Sequence, residues 1–392
     1  MPDVPSPDAT ALWKQLGDDG ELRALYEGPG VSKALGLDPF ALRELLAALD
    51  AEHGLGTTLS VCVQIASALP VLVGQRSRTG PASHAGPASH AGRAGPAGPA
   101  GPARSGEPAG SAEPSSPAAR VAEQALDGRA VVAFAATDVG AAGSDLTALT
   151  TKVDLEGDAV RLNGGKRWIV NATTADHAVV LARHKPGDHF TSFTLLLVPA
   201  DADGVKAAPS PTRFFAGSGV GDLSFDDVRL DRSHVIGRPG QGLAEFARRM
   251  SGERLASGLW ASALCRRALA DLHARLTARG LREHPLWENG SVRQRFARAL
   301  LEQRRLDALC VALCDAGDPS PAQAMLVKAA GAETVGLVLD ACAQLSGADG
   351  FAAGGPQELR AEAAMFGIAG GTTETMLDGI ADHAPELLGS AS

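Results

Sequence analysis

The sequence predicts an α+β fold in which a helical N-terminal part, a β-rich middle and a helical C-terminal part follow one another. Three observations carry this. Apolar residues recur at helical spacing before residue 75, short β-branched runs punctuated by Gly, Asp and Asn fill 130–230, and long helical periods return beyond Gly240. Strands and helices do not alternate, which argues against a doubly wound nucleotide fold.

In chain order, Asp38-Pro39 reads as an N-cap followed by Pro at the first helical position, and Leu42, Leu45, Leu46 and Leu49 line one face of the helix that follows. Thr58 to Val73, bounded by Gly56 and Gly74, reads as a buried helix. The apolar run Leu59 to Gly74 carries Gln64 and is read as too short to cross a bilayer. Residues 1–75 are thus an N-terminal helical domain. From 76 to 117 Gly, Pro, Ala and Ser dominate, with GPASHA repeated from Gly80 and Gly86 and GPA triplets from Gly95. The triplets are too few for a collagen helix, so the segment, His84 and His90 included, reads as a disordered insertion.

The stretch 118–239 is read as the end of a helix and a middle β domain. Its strands are expected at Val131–Phe134, Ala159–Leu162, Arg167–Val170, His177–Leu181 and Phe193–Val198. The remainder, 240–392, is a C-terminal helical bundle with long helices expected over 243–277, 292–315 and 321–345 and a shorter one after Thr372.

Composition narrows the function. Lys and Arg number 36 against 45 Asp and Glu, a net charge of -9, which argues against nucleic acid as partner. Five cysteines without short paired spacing suggest neither a disulfide framework nor a zinc site, and Cys310 and Cys314 read as small buried thiols; no metal is expected. The start MPDVPSPDAT lacks the basic and apolar regions of a signal peptide, so a cytoplasmic protein without a membrane segment is expected. No GxxxxGK[ST], HExxH, GxSxG or CxxC occurs, and the Gly-rich strings at Gly217 and Gly237 lack a strand-turn-helix setting. Cofactor or thioester chemistry is what is left.

The string Phe134-Ala-Ala-Thr-Asp138-Val-Gly-Ala-Ala-Gly-Ser-Asp145, followed by Leu162-Asn-Gly-Gly-Lys-Arg-Trp-Ile-Val-Asn171, closely resembles the flavin-cradling middle domain of the acyl-CoA dehydrogenase family. The similarity continues through Val235 to Gly242, Gly252-Glu253-Arg254-Leu255-Ala256, Arg279 to Leu286, Gln344 to Phe351 and Gly371-Thr372-Thr373-Glu374. The resemblance implies a middle β-barrel or sandwich, a C-terminal four-helix bundle, FAD as cofactor and an acyl thioester, on CoA or an acyl carrier protein, as substrate. It also implies a homodimer or homotetramer, with a heteromer as the alternative. Backbone N–H groups near Phe134, Ala136 and Thr137 would meet the flavin, and small Gly143 and Ser144 would admit its pyrophosphate. Trp168 would cover one flavin face and Val170 would lie near N5. Arg279 and Gln344 would reach the FAD of a neighbouring subunit, Gly347 would also bind the cofactor, and Thr372 and Glu374 would approach its adenosine portion.

The family pattern breaks at the base. Thioester dehydrogenation needs a carboxylate to take the α-proton. The usual glutamate position holds Gly370, whereas Glu253 occupies the place used by a minority of the family. Glu253 is therefore the candidate catalytic base. Val170 replaces a common threonine, and Ala361-Glu362 replaces Arg-Asp before the base turn, so that turn is expected to be rebuilt. Three readings stand: a dehydrogenase using Glu253, a flavin monooxygenase or oxidase on the same scaffold, and a non-catalytic subunit of a heteromeric dehydrogenase. The electron acceptor, acyl chain and carrier are not legible.

Overall fold

The computed structural model describes residues 9–76, 116–140, 143, 145–281 and 284–389. Ser144 and the repeats of the expected insertion lie outside them.

Helices α1 (Ala9–Asp18), α2 (Glu21–Glu27) and α3 (Pro39–Glu52) open the fold. Asp38 caps α3 as expected, its carboxylate accepting the Phe40 and Ala41 N–H groups at 2.9 and 3.1 Å. Next comes one unbroken helix of 22 residues, Leu55–Arg76, made of α4 (Leu55–Val63), a π-helical turn (Gln64–Ala68) and α5 (Leu69–Arg76). With a mean hydropathy of 1.7 it is long and apolar enough to cross a membrane, which corrects the length argument made from sequence; yet 89% of its most apolar window is packed inside the protein. Gly56 and Gly74, expected to end it, lie within it. A Cβ on Gly56 would fall 2.2 Å from the Ala216 carbonyl oxygen and one on Gly74 2.5 Å from the Arg249 guanidinium, so both glycines mark close approaches.

Helix α6 (Pro117–Leu126), capped by the Ser116 side chain, leads into the β domain. Its strands are β1 (Val132–Ala135), β2 (Lys152–Glu156), β3 (Ala159–Ile169), β4 (His177–Arg183), β5 (Phe193–Pro199), β6 (Val205–Pro209), β7 (Gly221–Asp231) and β8 (Val235–Ile236). They form one mixed sheet in the order β6-β7-β3-β2-β4-β5-β8, with β1 paired parallel to β4. One face encloses a core of its own around Val153, Leu162, Val180, Leu196 and Phe225. The alternate residues Val179, Leu181, Leu195 and Leu197 join the main core with the helices. The two runs expected as separate strands, Ala159–Leu162 and Arg167–Val170, belong to the single strand β3 up to Ile169. Its register against β7 shifts between Leu162 and Gly164 and again between Lys166 and Ile169. Strands β2 and β6 escaped the sequence reading because mostly exposed residues leave little apolar patterning.

The C-terminal part holds α7 (Gly242–Ala278), a small hairpin of β9 (Gly280–Leu281) and β10 (His284–Pro285), α8 (Gly290–Ala316), α9 (Pro321–Ser346), α10 (Pro356–Ala363), α11 (Thr373–Asp382) and α12 (Ala384–Leu387). Helices α7, α8, α9 and α11 form the bundle. A Cβ on Gly331 would lie 3.3 Å from the Gly258 Cα, and further along the Cys342 thiol lies 3.7 Å from the Ala268 carbonyl, so α7 and α9 run parallel and cross at backbone distance. Cys310 and Cys314 are buried free thiols, pushed up to about 12 and about 11 by burial, as expected. Among the described residues no group of His, Cys, Asp or Glu suits a metal ion.

Candidate active site

Glu253 sits in the fourth turn of α7, partly buried and facing the N-terminal helix. The π turn of that helix rotates Ser67 toward it, and the Ser67 hydroxyl donates to Glu253 Oε2 at 2.7 Å. The same turn aims Gln64 the other way, where its Oε1 accepts the Val132 N–H at 3.0 Å and so holds β1. Across from Glu253 lies the turn that carries Gly370, at φ +73°. A Cβ on Gly370 would stand 2.9 Å from Glu253 Oε1 and 3.6 Å from Lys328 Cε. The Glu253 carboxylate thus occupies the space into which a side chain at 370 would project.

Charge at this point is set by burial and a few neighbours. Burial pushes the Glu253 carboxyl above its ordinary range, opposed by the Ser67 hydrogen bond and by the positive charges of Lys328 and Arg254. Lys328, on α9, is fully buried, and burial pulls its ammonium down to about 8 against the pull of Glu253. Its Nζ donates to the Phe366 carbonyl. Arg254 Nε is buried with no hydrogen-bond partner among the described residues. Cys62, on α4, is pushed up to about 12 by burial, with Glu253 adding to the rise.

The β domain gathers the expected flavin residues of the first group. Phe134 ends near Phe246 of α7, the rings stacked at 5.7 Å. Ala136 and Thr137 follow β1 and are held through their carbonyls: Lys166 Nζ donates to Ala136 at 2.9 Å and the Arg167 N–H to Thr137 at 3.0 Å. Gly143 lies against Thr137, where a Cβ would meet the Thr137 methyl at 3.5 Å. Beneath this loop Asp138 and Lys166 form a fully buried ion pair at 2.5 Å. Asp138 also accepts the N–H groups of Thr150 and Thr151 and the Thr151 hydroxyl, at 2.5, 2.6 and 2.9 Å. These partners outweigh burial and hold its carboxyl below the usual range.

Trp168 has φ +56°, a conformation costly for a bulky residue, and leaves 47% of its surface exposed. Val170 is half-buried against the main core. The next residue, Asn171 at φ +65°, exchanges hydrogen bonds of 2.6 and 3.1 Å with Ser60, tying the β3 end to the N-terminal helix.

The second expected group is also brought together. Arg279 donates to the Ser346 carbonyl at 3.0 Å and pairs with Asp349 at 3.4 Å, and Gly347 at φ +61° lies under its guanidinium. Gln344 is exposed beside them, and a groove of about 350 Å³ runs along Arg275, Arg279, Leu345 and Ser346. No hydrogen bond or ion pair among the described residues joins this cluster to the Trp168 group. Thr372 caps α11 and Glu374 stands exposed in its first turn, so these two form a third place. Glu362, at the end of α10, accepts the Phe215 N–H at 2.7 Å.

Sequence reasoning missed Ser67, Lys328 and the Ser60–Asn171 link. Lys328 carried a legible signal, a lone charge within the apolar stretch Ala324 to Gly331. Ser67 carried none, because its direction depends on a π turn.

Residues 133–228 match the family model of the acyl-CoA dehydrogenase middle domain and residues 240–384 that of the acyl-CoA dehydrogenase C-terminal domain. The chain belongs to the acyl-CoA dehydrogenase family. It is 29% identical over 241 residues to the acyl-[acyl-carrier-protein] dehydrogenase MbtN of Mycobacterium sp. (strain MCS), covering 59% of each chain. It is 30% identical over 172 residues to the acyl-CoA dehydrogenase IpdE1 of Mycobacterium tuberculosis, covering 44% of this chain and 43% of that one. The matched segments therefore span less than two thirds of these relatives. The crystal structure of glutaryl-CoA dehydrogenase from Mycobacterium smegmatis superposes with a TM-score of 0.75 at 22% identity, over 98% of this chain and 87% of the other, which establishes the fold.

Proposed function

We propose that the chain is an FAD-dependent dehydrogenase that introduces an α,β double bond into an acyl thioester carried by CoA or an acyl carrier protein, with Glu253 as base. The observation that carries this reading is the 2.9 Å between Glu253 Oε1 and the place where the Cβ of residue 370 would stand. A carboxylate delivered from α7 thereby fills the space of a carboxylate missing from the turn.

The residues present fit FAD. The strained, half-exposed Trp168 offers an indole face, and the glycine at 143 leaves a gap over Thr137. When bound, the flavin supplies the acceptor for the β-hydrogen, which leaves as hydride. The chain's own part is the proton. Glu253 takes the α-proton as the C–H bond breaks, and its burial makes it a stronger base than an ordinary glutamate. Ser67 fixes one carboxylate oxygen, leaving the other toward Gly370. Exposed Arg279, Gln344 and Gly347 suit contact with the FAD of a second copy, which favours a homodimer or homotetramer.

A second reading, oxidase or monooxygenase, draws on Val170, which puts no hydroxyl where a threonine is common. The partner-subunit reading is disfavoured by a hydrogen-bonded Glu253. The visible spectrum of the purified protein, before and after anaerobic addition of a panel of acyl-CoA thioesters, tests the proposal. A yellow protein bleached by one of them supports it. Persistent colour with rapid reoxidation of chemically reduced flavin by O₂ favours the oxidase, and a colourless protein the partner subunit.

A further inference from the structure

The base turn is clamped from two helices. Trp260, two turns after Glu253 on the same face of α7, packs edge-on against the Phe366 ring with centroids 4.9 Å apart. Its indole N–H is itself fixed by the buried Asp50 at 3.1 Å, and Asp50 is held by Arg267 at 2.7 Å. From α9, Lys328 Nζ donates to the carbonyl of the same Phe366. Four residues later the turn presents Gly370 to Glu253 Oε1 and Lys328 Cε at once.

We infer that Lys328 is a positioning residue for Glu253: its buried ammonium ties down the Phe366–Gly370 turn and stands as the countercharge beside the carboxylate. This rests on the reading of Glu253 as base. An ammonium that is fully buried keeps its charge only with a partner, and Glu253 is the carboxylate acting on it. The groups facing the pair are few. Glu253 meets Ser67 from the π turn, Cys62 from α4, Lys328 from α9 and Arg254 from its own helix, while Lys328 meets Glu253, Arg254 and Cys62. Among the described residues, Lys328 joins the carboxylate's surroundings to the turn's backbone through its hydrogen bond to the Phe366 carbonyl.

Two measurements test this. In Lys328→Met the acid limb of the rate of flavin bleaching moves to higher pH by about one unit, because the ionised carboxylate loses a positive neighbour. Lys328→Arg, which keeps the charge, restores the limb toward that of the parent. An unmoved limb in a folded, yellow Lys328→Met protein overturns the inference. The second measurement uses no substrate and covers the case in which Lys328→Met does not fold. It compares the alkaline limb of the melting temperature of the parent and Glu253→Gln, from about pH 7 to about 10.4, the unfolded lysine value. Because the folded-state ammonium is pulled down to about 8, stability rises with pH through that value toward the unfolded lysine value. Without Glu253 the rise begins at lower pH; superimposable profiles contradict the coupling. Loss of the dehydrogenase reading shows as an unbleached parent protein with the melting difference intact, so the two failures are told apart.

Discussion

The Oε1 of Glu253 on α7 lies 2.9 Å from the point at which a Cβ on Gly370 would stand, so the two positions compete for one space. A carboxylate can reach it from the helix or from the turn, but not from both. That relationship explains why the turn holds a glycine, and it organises the predictions that follow.

Gly370→Glu places a side chain at φ +73° and against the Glu253 carboxylate. It is expected to destabilise the fold by about 1–3 kcal/mol through strain and crowding. Adding Glu253→Gly should recover part of that loss, because one contributor to the clash is gone. Urea melts of the parent, both single variants and the double variant check the coupling; strictly additive values would show that the space is not shared.

The pH dependence follows from the carboxylate's surroundings. If Glu253 is the base, as proposed, it acts only when ionised, and burial raises it, so bleaching should fall on acidification at a pH above the ordinary glutamate range of about 4.3. Ser67 donates to the ionised form and holds the value down. In Ser67→Ala the limb should therefore move further toward neutral pH, with the plateau rate reached later. A limb that stays in place or moves to lower pH would remove Ser67 from the site.

Asp138→Ala leaves Lys166 buried with no carboxylate partner, which should lower stability by about 3–5 kcal/mol. Asp138→Ala combined with Lys166→Met should be more stable than Asp138→Ala alone, since no charge then remains buried. Thermal melts of the flavin-free proteins measure both, and equal melting temperatures would show that the lysine finds water.

Trp168→Ala separates ligand contact from core. With 47% of the residue exposed and its backbone strained, the change should alter flavin-free stability by less than about 1 kcal/mol. FAD retention should weaken by about tenfold, the share of a lost aromatic stacking contact. Ultrafiltration at set FAD concentrations measures it. Unchanged retention would move the indole away from the cofactor.

Much of the architecture was legible because it rests on periodicity and caps. Asp38-Pro39 announced α3, and the three long helices fell within a few residues of their expected ends. The failures share a physical cause, since each depended on contacts distant in sequence. Gly56 and Gly74 read as helix ends, yet each is a glycine because a distant group, Ala216 or Arg249, approaches its backbone. The gap between Leu162 and Arg167 read as a turn, but a shift in register against β7 carries β3 through it. At the site, Glu253 was legible from its motif. The direction of Ser67 and the tie from Lys328 to Phe366 depend on a π turn and a helix crossing that no local pattern encodes.

The central claim is that Glu253 removes the α-proton. Its most direct test is stopped-flow bleaching of the flavin by a thioester that reduces the parent protein, repeated with Glu253→Gln under the same anaerobic conditions. The variant should keep its yellow colour and its fold, because the amide retains an oxygen for Ser67. Its bleaching rate should fall by about two orders of magnitude or more, the usual contribution of a general base. A variant that bleaches as fast as the parent would contradict the assignment.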